Sequence, residues 1–223
     1  MKAGEELSFG LTLIGKAVES LPYIVYAASE MAHRGLGVER ARFELKEVVE
    51  VEEGAVIYTR ESQRISAKAT AARSLSEMIK KRLESLNESS DLNSVRLRFV
   101  TPTRIRVADD LQAEIDFGLL ARSLLRRVSM LAVVHGSGKL ELDYRGLIGR
   151  AVEVETVASD LEWEDWERYS NRQQTKMKLG GFTGEVGYAG SAIREFLPLI
   201  VAGEILRVGA STSFGLGRFE VAV

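Results

Sequence analysis

The 223-residue chain contains no cysteine, which excludes disulfides and thiolate zinc sites. Histidine occurs at only two positions, His33 and His135, too few for a histidine-rich metal centre, so chemistry without a metal or cofactor is expected. Long apolar runs are missing as well. The longest, around residues 21–28 and 130–134, fall far short of the roughly 18 residues that span a bilayer. No cleavable signal pattern opens the chain. The expectation is a cytoplasmic protein without a membrane partner. Net charge is only −2, so overall charge announces no nucleic-acid partner. Its distribution is uneven: −4 over residues 1–59, +6 over 60–106, −6 over 107–165 and +2 over 166–223. A basic centre of this kind reads equally well as a solvated helix or as a phosphate-binding stripe.

What is abundant is glycine, and it recurs in a pattern. Near the C-terminus GASTSFGLGRFEV, residues 209–221, is a glycine-rich loop running into a strand, and GLGVERARFEL at 35–45 uses the same device earlier. Each is preceded by an apolar helical stretch containing Leu-Pro, at Leu21-Pro22 and Leu197-Pro198, and each helix by a glycine-dotted strand, residues 7–15 and 177–188. Two related units follow from the repeat.

In the second unit, residues 95–100 alternate as a half-buried strand and Asp116 caps a long helix with apolar stripe Phe117, Leu120, Ala121, Leu124, Leu125, Val128 and Leu131. Residues 156–166 and 177–188 read as a strand hairpin, followed by a helix from Ser191 and the final strand. The order β-α-β-β-α-β is that of a ferredoxin-like unit. The fold class expected is α+β, with tandem ferredoxin-like (RRM-like) units. Residues 1–60 form a partial first unit of strand, helix and hairpin, 61–93 a connector helix and linker, and 94–223 a complete second unit. The first unit lacks an opening β-α-β, roughly 80 residues by comparison with the second. It would then leave Leu11, Leu13, Ile24 and Met31 uncovered, and pairing with a second copy, a homodimer, is one expectation.

The segments VRLRFVTPT (95–103), WERYSNRQ (166–173), LGGFTG (179–184), FLPL (196–199) and GASTSFGLGRF (209–219) together resemble the RAMP superfamily of CRISPR-associated proteins. Within it, the chain is most similar to the endoribonucleases that cut precursor CRISPR RNA. LTLIG and LPYIVYAASEMAHRGLG in the first unit resemble the second half of that family's N-terminal domain. The resemblance implies binding of CRISPR repeat RNA. It also implies metal-independent cleavage by the ribose 2′-hydroxyl, leaving a 2′,3′-cyclic phosphate and a 5′-hydroxyl. In many members the base is a histidine in the first helix of the N-terminal unit, a segment with no counterpart here. A RAMP-type RNA-binding subunit without cleavage activity, associated with CRISPR effector subunits, is the alternative. A ferredoxin-like protein whose loop holds the phosphate of a small nucleotide is a third.

Two sites are candidates for RNA. In the glycine-rich loop, Gly209, Gly215 and Gly217 let backbone N–H groups approach phosphates, Ser211, Thr212 and Ser213 add hydroxyls, and Arg218 adds charge. A helix-to-strand turn at positive φ calls for the same glycines, so both readings stand at this point. In WEDWERYSNRQQTKMK, the rings of Trp163, Trp166 and Tyr169 alternate with Arg168, Arg172, Gln173, Lys176 and Lys178. That mixture reads first as a solvated hairpin with aromatic cross-strand pairs, and its density of rings and donors also suits an RNA stem or flank. His33, His135 and Tyr169 are the candidates for acid–base work. Both histidines fall at helix C-termini, where capping is the commoner role.

Overall fold

The computed structural model describes residues 4–37, 39–66, 72–86, 93–108, 110–170 and 174–222. They divide into two units, Met1–Arg73 and Ser74–Val223.

In the first unit a 3₁₀ turn, Gly15–Ser20, leads into helix α1, Leu21–Arg34, with Pro22 in the first turn, where its missing N–H costs nothing. Gly35 ends α1 at φ 84° and donates to the Met31 carbonyl. Leu36 and Ala41 then exchange backbone hydrogen bonds of 2.9 and 3.0 Å, tying off the short loop that follows. Strands β1, Glu47–Val49, and β2, Val56–Thr59, pair antiparallel. Their turn is fastened by the Glu50 carboxylate, which accepts from the Glu52 and Glu53 amides.

Residues 7–14, expected as a strand, are not in one. Ile14 has extended dihedrals, φ −121° and ψ 132°, but among the described residues no ladder partner lies beside this segment. Extended backbone becomes a strand only when its N–H and C=O groups are shared. Leu11 and Met31 are exposed, as the reading required, while Leu13 and Ile24 are half-buried.

The second unit starts earlier than its first strand. Helix α2, Leu75–Leu86, read from the sequence as a connector, packs on the core through Ile79, Leu83 and the buried Leu86. It then leads to β3, Ser94–Thr103, and a two-residue ribbon of β4, Arg106–Val107, with β5, Asp110–Leu111. Helix α3, Phe117–His135, is capped by the Asp116 carboxylate, which accepts from the Leu119 amide at 2.7 Å. Helix α4, Tyr144–Val152, has the same device in Asp143 and Gly146 N–H. The sequence reading passed over α4, although Asp143 ahead of Leu147, Ile148 and Ala151 carries a cap-and-stripe signal. Next come β6, Glu155–Glu164; β7, Glu167–Ser170; β8, Thr175–Lys178; β9, Gly181–Ala189; α5, Ile193–Leu206; and β10, Phe219–Ala222.

The main sheet runs β10-β3-β9-β6, antiparallel throughout. With α3 and α5 as its helices, this is the ferredoxin-like arrangement. Alternation along β3 sends Val95, Leu97 and Phe99 to the buried face and Arg96 and Arg98 to solvent. The buried face meets Phe117, Leu120 and Leu124 of α3 and Phe196, Leu197 and Ile200 of α5. Phe99 and Phe182 meet edge to face at 4.9 Å, and Phe117 and Phe196 at 5.2 Å. Gly203 lets the two helices close, because a Cβ there would overlap the Leu124 side chain.

Polar ties finish the assembly. The Arg82 guanidinium forks onto the Glu204 carboxylate at 2.9 and 3.1 Å and donates to the Val221 carbonyl, while Glu204 accepts from the Val221 amide. One ion pair thereby joins α2, α5 and β10.

The solvent face of the sheet carries Arg96, Arg98, Asp160, Glu162, Glu185 and Glu220 and no ring. It offers no base-stacking platform of the kind an RRM sheet uses.

Candidate nucleic-acid interface

The site is organised by a bulge in β3. Pairing with β9 shifts register between Phe99 and Thr103, and the Val100 and Thr101 amides both point at the Arg218 carbonyl. Pro102, which has no N–H to offer a ladder, occupies the bulge. Its carbonyl is free to accept from Gly217 N–H at 3.1 Å. The loop after α5 is closed at its neck by Val208 N–H donating to the Gly217 carbonyl at 2.9 Å, and is held to β3's end by Ala210 N–H on the Arg104 carbonyl.

The glycines fall into two groups. Gly217 is buried at φ 76°, and a Cβ there would overlap the Val208 carbonyl oxygen. Gly209, at φ 83°, lies against the Arg104 backbone in the same way. Both are required by the turn. Gly215, φ 91°, faces open space beside the Arg207 guanidinium, but its N–H is spent on the Thr212 carbonyl. The amides left without a protein acceptor, among the described residues, are those of Gly209, Ser211, Thr212, Ser213 and Leu216. Ser211 at φ 62° followed by a 3₁₀ turn, Thr212–Phe214, gathers several of them on one short arc. Such an arc of N–H groups suits an anion.

Two cations flank the loop. Arg218 is exposed and hydrogen-bonded to Glu220, which also holds Arg98 at 2.7 Å. These two guanidiniums keep the Glu220 carboxyl below its ordinary range. Arg207, by contrast, is half-buried, and among the described residues its guanidinium has no hydrogen-bond acceptor or ion-pair partner. Burial, and then the nearby Arg218 charge, pulls its pKa down, yet a guanidinium keeps its proton. Arg207 stands as the α5 C-cap at φ 65°, a positive φ that glycine adopts more readily than arginine. Sequence reading missed it, since a lone arginine after a helix carries no signal.

The second candidate segment is a separate ribbon. The hairpin read as one long pair of strands breaks at Asp165-Trp166 and Leu179-Gly180, and β7 with β8 forms its own two-stranded extension. Tyr169 is exposed and its hydroxyl donates to Gln174 Oε1 at 3.1 Å; Lys176 pairs with Glu167 at 3.3 Å. Arg172 and Gln173 lie outside the described residues. Arg168 reaches across to the loop, its guanidinium 5.1 Å above the Phe214 ring. Loop and ribbon, separate in sequence, therefore meet.

Arg104 holds them in register. Only 7% exposed, it donates to the carbonyls of Lys178 and Gly180 at 2.8 and 2.9 Å, at the root of the ribbon, while its own carbonyl carries Ala210 of the loop. Burial, and then Arg106, lowers its pKa. Between loop, ribbon root and bulge lies a cleft of about 440 Å³, lined by Thr101, Pro102, Glu164, Asp165, Trp166, Phe214, Gly215 and Leu216.

Of the candidate acid–base residues in the second unit, His135 does not reach the cleft. His135 is exposed at the end of α3. It lies eight residues, about 12 Å of helix rise, past Arg127, whose guanidinium caps the Leu206 carbonyl of α5. His33 belongs to the first unit, where its Nδ1 donates to the Ser29 carbonyl at 2.7 Å. Of the three, only Tyr169 stands on the ribbon. Among the described residues no cluster of metal-ligating side chains occurs, and no helix is long and apolar enough to cross a membrane.

Comparison with known proteins places this geometry. The family model described as "CRISPR-associated endoribonuclease Cas6" matches residues 97–219, the segment that holds most of β3, all of β6 and β9, the ribbon and the loop. The chain belongs to the Cas6 family. A second model, described as an N-terminal domain, matches residues 1–70. An uncharacterized protein of Archaeoglobus fulgidus is 24% identical over 217 residues, covering 97% of this chain and 66% of its own length. The chain thus spans about two thirds of that curated relative. Among solved structures, the product complex of Cas6 TTHB231, a Thermus thermophilus protein, has a TM-score of 0.57 at 19% identity, covering 89% of this chain and 69% of that one. The Cas6 TTHA0078 product complex gives 0.52 at 19% identity, covering 92% and 73%. A partial Cas6-RT-Cas1–Cas2 complex gives 0.58 at 14%, covering 91% of this chain and 33% of that chain. At these identities the structural matches speak for a shared Cas6 fold.

Proposed function

We propose that the chain binds CRISPR repeat RNA across the loop and ribbon of its second unit and acts in the endonucleolytic processing of precursor CRISPR RNA. The observation that carries this is Arg207, a half-buried guanidinium that has no acceptor among the described residues, beside a loop with five backbone N–H groups unspent among the same residues. A phosphate would satisfy both. Ser211, Thr212, Ser213 and Arg218 flank that phosphate, Arg168, Tyr169 and Lys176 extend the surface along the ribbon, and Arg172 and Gln173, outside the described residues, are proposed as further RNA contacts.

In the metal-independent reaction, the 2′-oxygen forms a bond to the adjacent phosphorus as a base takes its proton. The P–O5′ bond breaks as an acid protonates the leaving oxygen. Cations and N–H groups stabilise the phosphorane charge. His33, His135 and Tyr169 remain the residues to test as base and acid. In this reading residues 1–60 supply the second half of a ferredoxin-like unit, 61–93 connect, and 94–223 bind RNA. Exposed Leu7, Phe9, Leu11, Tyr23 and Tyr26 of the first unit suit pairing with a second chain, which light scattering reads as a mass above the monomer's.

Binding without cleavage is the second reading, favoured by the placement of His135 at the C-terminal end of α3, away from the loop of its own unit. Labelled repeat RNA incubated with the chain in EDTA separates the two. Cleavage to a 2′,3′-cyclic phosphate is expected, retention without cleavage supports the second reading, and absence of binding overturns both.

Arg207→Ala is expected to lower repeat-RNA affinity about tenfold to a hundredfold, the range for a lost charge-assisted bond. It should also reduce the salt slope of binding by about one phosphate contact. Arg218→Ala, already paired with Glu220, is expected to change both by less. A filter-binding salt titration in which Arg207→Ala matches the unmodified protein removes the loop from the interface.

A further inference from the structure

We infer that the cleft beside the loop is a base pocket that selects an unpaired guanine of the bound RNA; the inference rests on the RNA-binding reading above. The cleft's walls are of two kinds. Trp166, 44% exposed, and Phe214, 44% exposed and covered on one face by the Arg168 guanidinium, line it together with Pro102 and the buried Leu216. An RNA base stacks on such surfaces with any sequence.

The polar lining is acidic, and this sets the cleft apart from the loop beside it. Asp165 Oδ1 accepts from Trp163 Nε1 at 3.0 Å, and Glu164 Oε1 accepts from Thr183 Oγ1 at 3.0 Å. Each carboxylate is thus oriented by one bond, and among the described residues neither has a cationic partner or a donor on its second oxygen. Two carboxylates repel phosphate, so the backbone of the RNA is directed to Arg207 and the loop amides while the cleft takes what can donate. Carboxylates only accept. Guanine alone presents two adjacent donors, N1–H and the N2 amine, on its pairing edge. Adenine and cytosine set an acceptor nitrogen beside their amine, and uracil flanks its single N–H with two carbonyls. A carboxylate therefore ranks guanine first and uracil last. The cleft's volume of about 440 Å³ accommodates one base, and the bulge at Pro102 and the break at Asp165-Trp166 together open it.

Five labelled pentaribonucleotides, UUGUU, UUIUU with inosine, UUAUU, UUCUU and UUUUU, test the assignment by fluorescence anisotropy with the full chain. UUGUU is expected to bind about tenfold tighter than UUIUU, which lacks only the N2 amine, in keeping with one lost charge-assisted hydrogen bond. The other three are expected to bind at least as weakly as UUIUU. The Glu164→Gln, Asp165→Asn double variant, checked for an unchanged melting temperature, is expected to lose the preference. If that variant unfolds, Trp166→Ala and Phe214→Ala serve instead, and a fall in UUGUU affinity to the UUUUU level is expected. Equal binding of all five probes, preference for another base, or a preference that survives these substitutions overturns the pocket. Equal binding that still falls in Arg207→Ala does so while leaving the RNA reading intact; no binding of any probe or of repeat RNA overturns both.

Discussion

Gly217→Val is expected to lower the melting temperature by roughly 10 °C and to abolish RNA binding with it. Gly217 is buried at φ 76°, its N–H is bonded to the Pro102 carbonyl, and its missing Cβ is replaced in space by the Val208 carbonyl oxygen. A β-branched residue meets a backbone atom that cannot step aside and a φ that it rarely adopts. Together these cost about 3 kcal/mol, and a unit of this size loses about 2–4 °C per kcal/mol. Gly215→Val is the control. It has the same sign of φ but only the end of the flexible Arg207 side chain near where a Cβ would stand, so backbone strain alone, about 1–2 kcal/mol, is expected. Calorimetry of the two variants decides, and equal melting temperatures would remove the distinction between a glycine that the turn requires and one that it tolerates.

Arg104→Met is expected to release the ribbon from the loop. The substitution keeps most of the side chain's bulk and deletes the donor shared by the Lys178 and Gly180 carbonyls. Leaving two carbonyls short of a partner costs about 1–3 kcal/mol, more for the bonds of a charged donor. The effect should be local. Leu179 N–H, bonded to the Trp166 carbonyl at 2.7 Å, should lose protection from hydrogen exchange well before amides of α3 or β9. Repeat-RNA affinity should fall further than the melting temperature accounts for, because loop and ribbon no longer present one surface. Unaltered protection at Leu179 in Arg104→Met would show that the Arg168–Phe214 contact alone joins them.

Local periodicity made much of the second unit legible. Alternation in 95–100, the Asp116 cap and the apolar stripe of α3 follow from backbone and side-chain geometry within a few residues, and each is where the sequence puts it. The segment 7–14 failed for the opposite reason: its pattern is strand-like, but a strand needs a neighbour, and neighbours are a non-local property. Helix α2 has the amphipathic stripe expected of it, yet its amphipathic period could not say that it would pack on α5 and pin Glu204.

The interface divides along the same line. Composition alone determined that thiolate metal sites are out of reach, and the glycine-rich loop, the ring-and-cation ribbon and the Cas6 likeness were written in residues 95–219. Only the tertiary structure decided which glycines the turn consumes, which amides are left over, and that Arg104 and Arg207, unremarkable in sequence, sit at the joint. Hydrogen-bond satisfaction is the physical reason. Whether an N–H or a guanidinium is spent or free depends on acceptors brought in from distant segments, here Pro102, Arg104, Lys178 and Gly180, and no local pattern records their arrival.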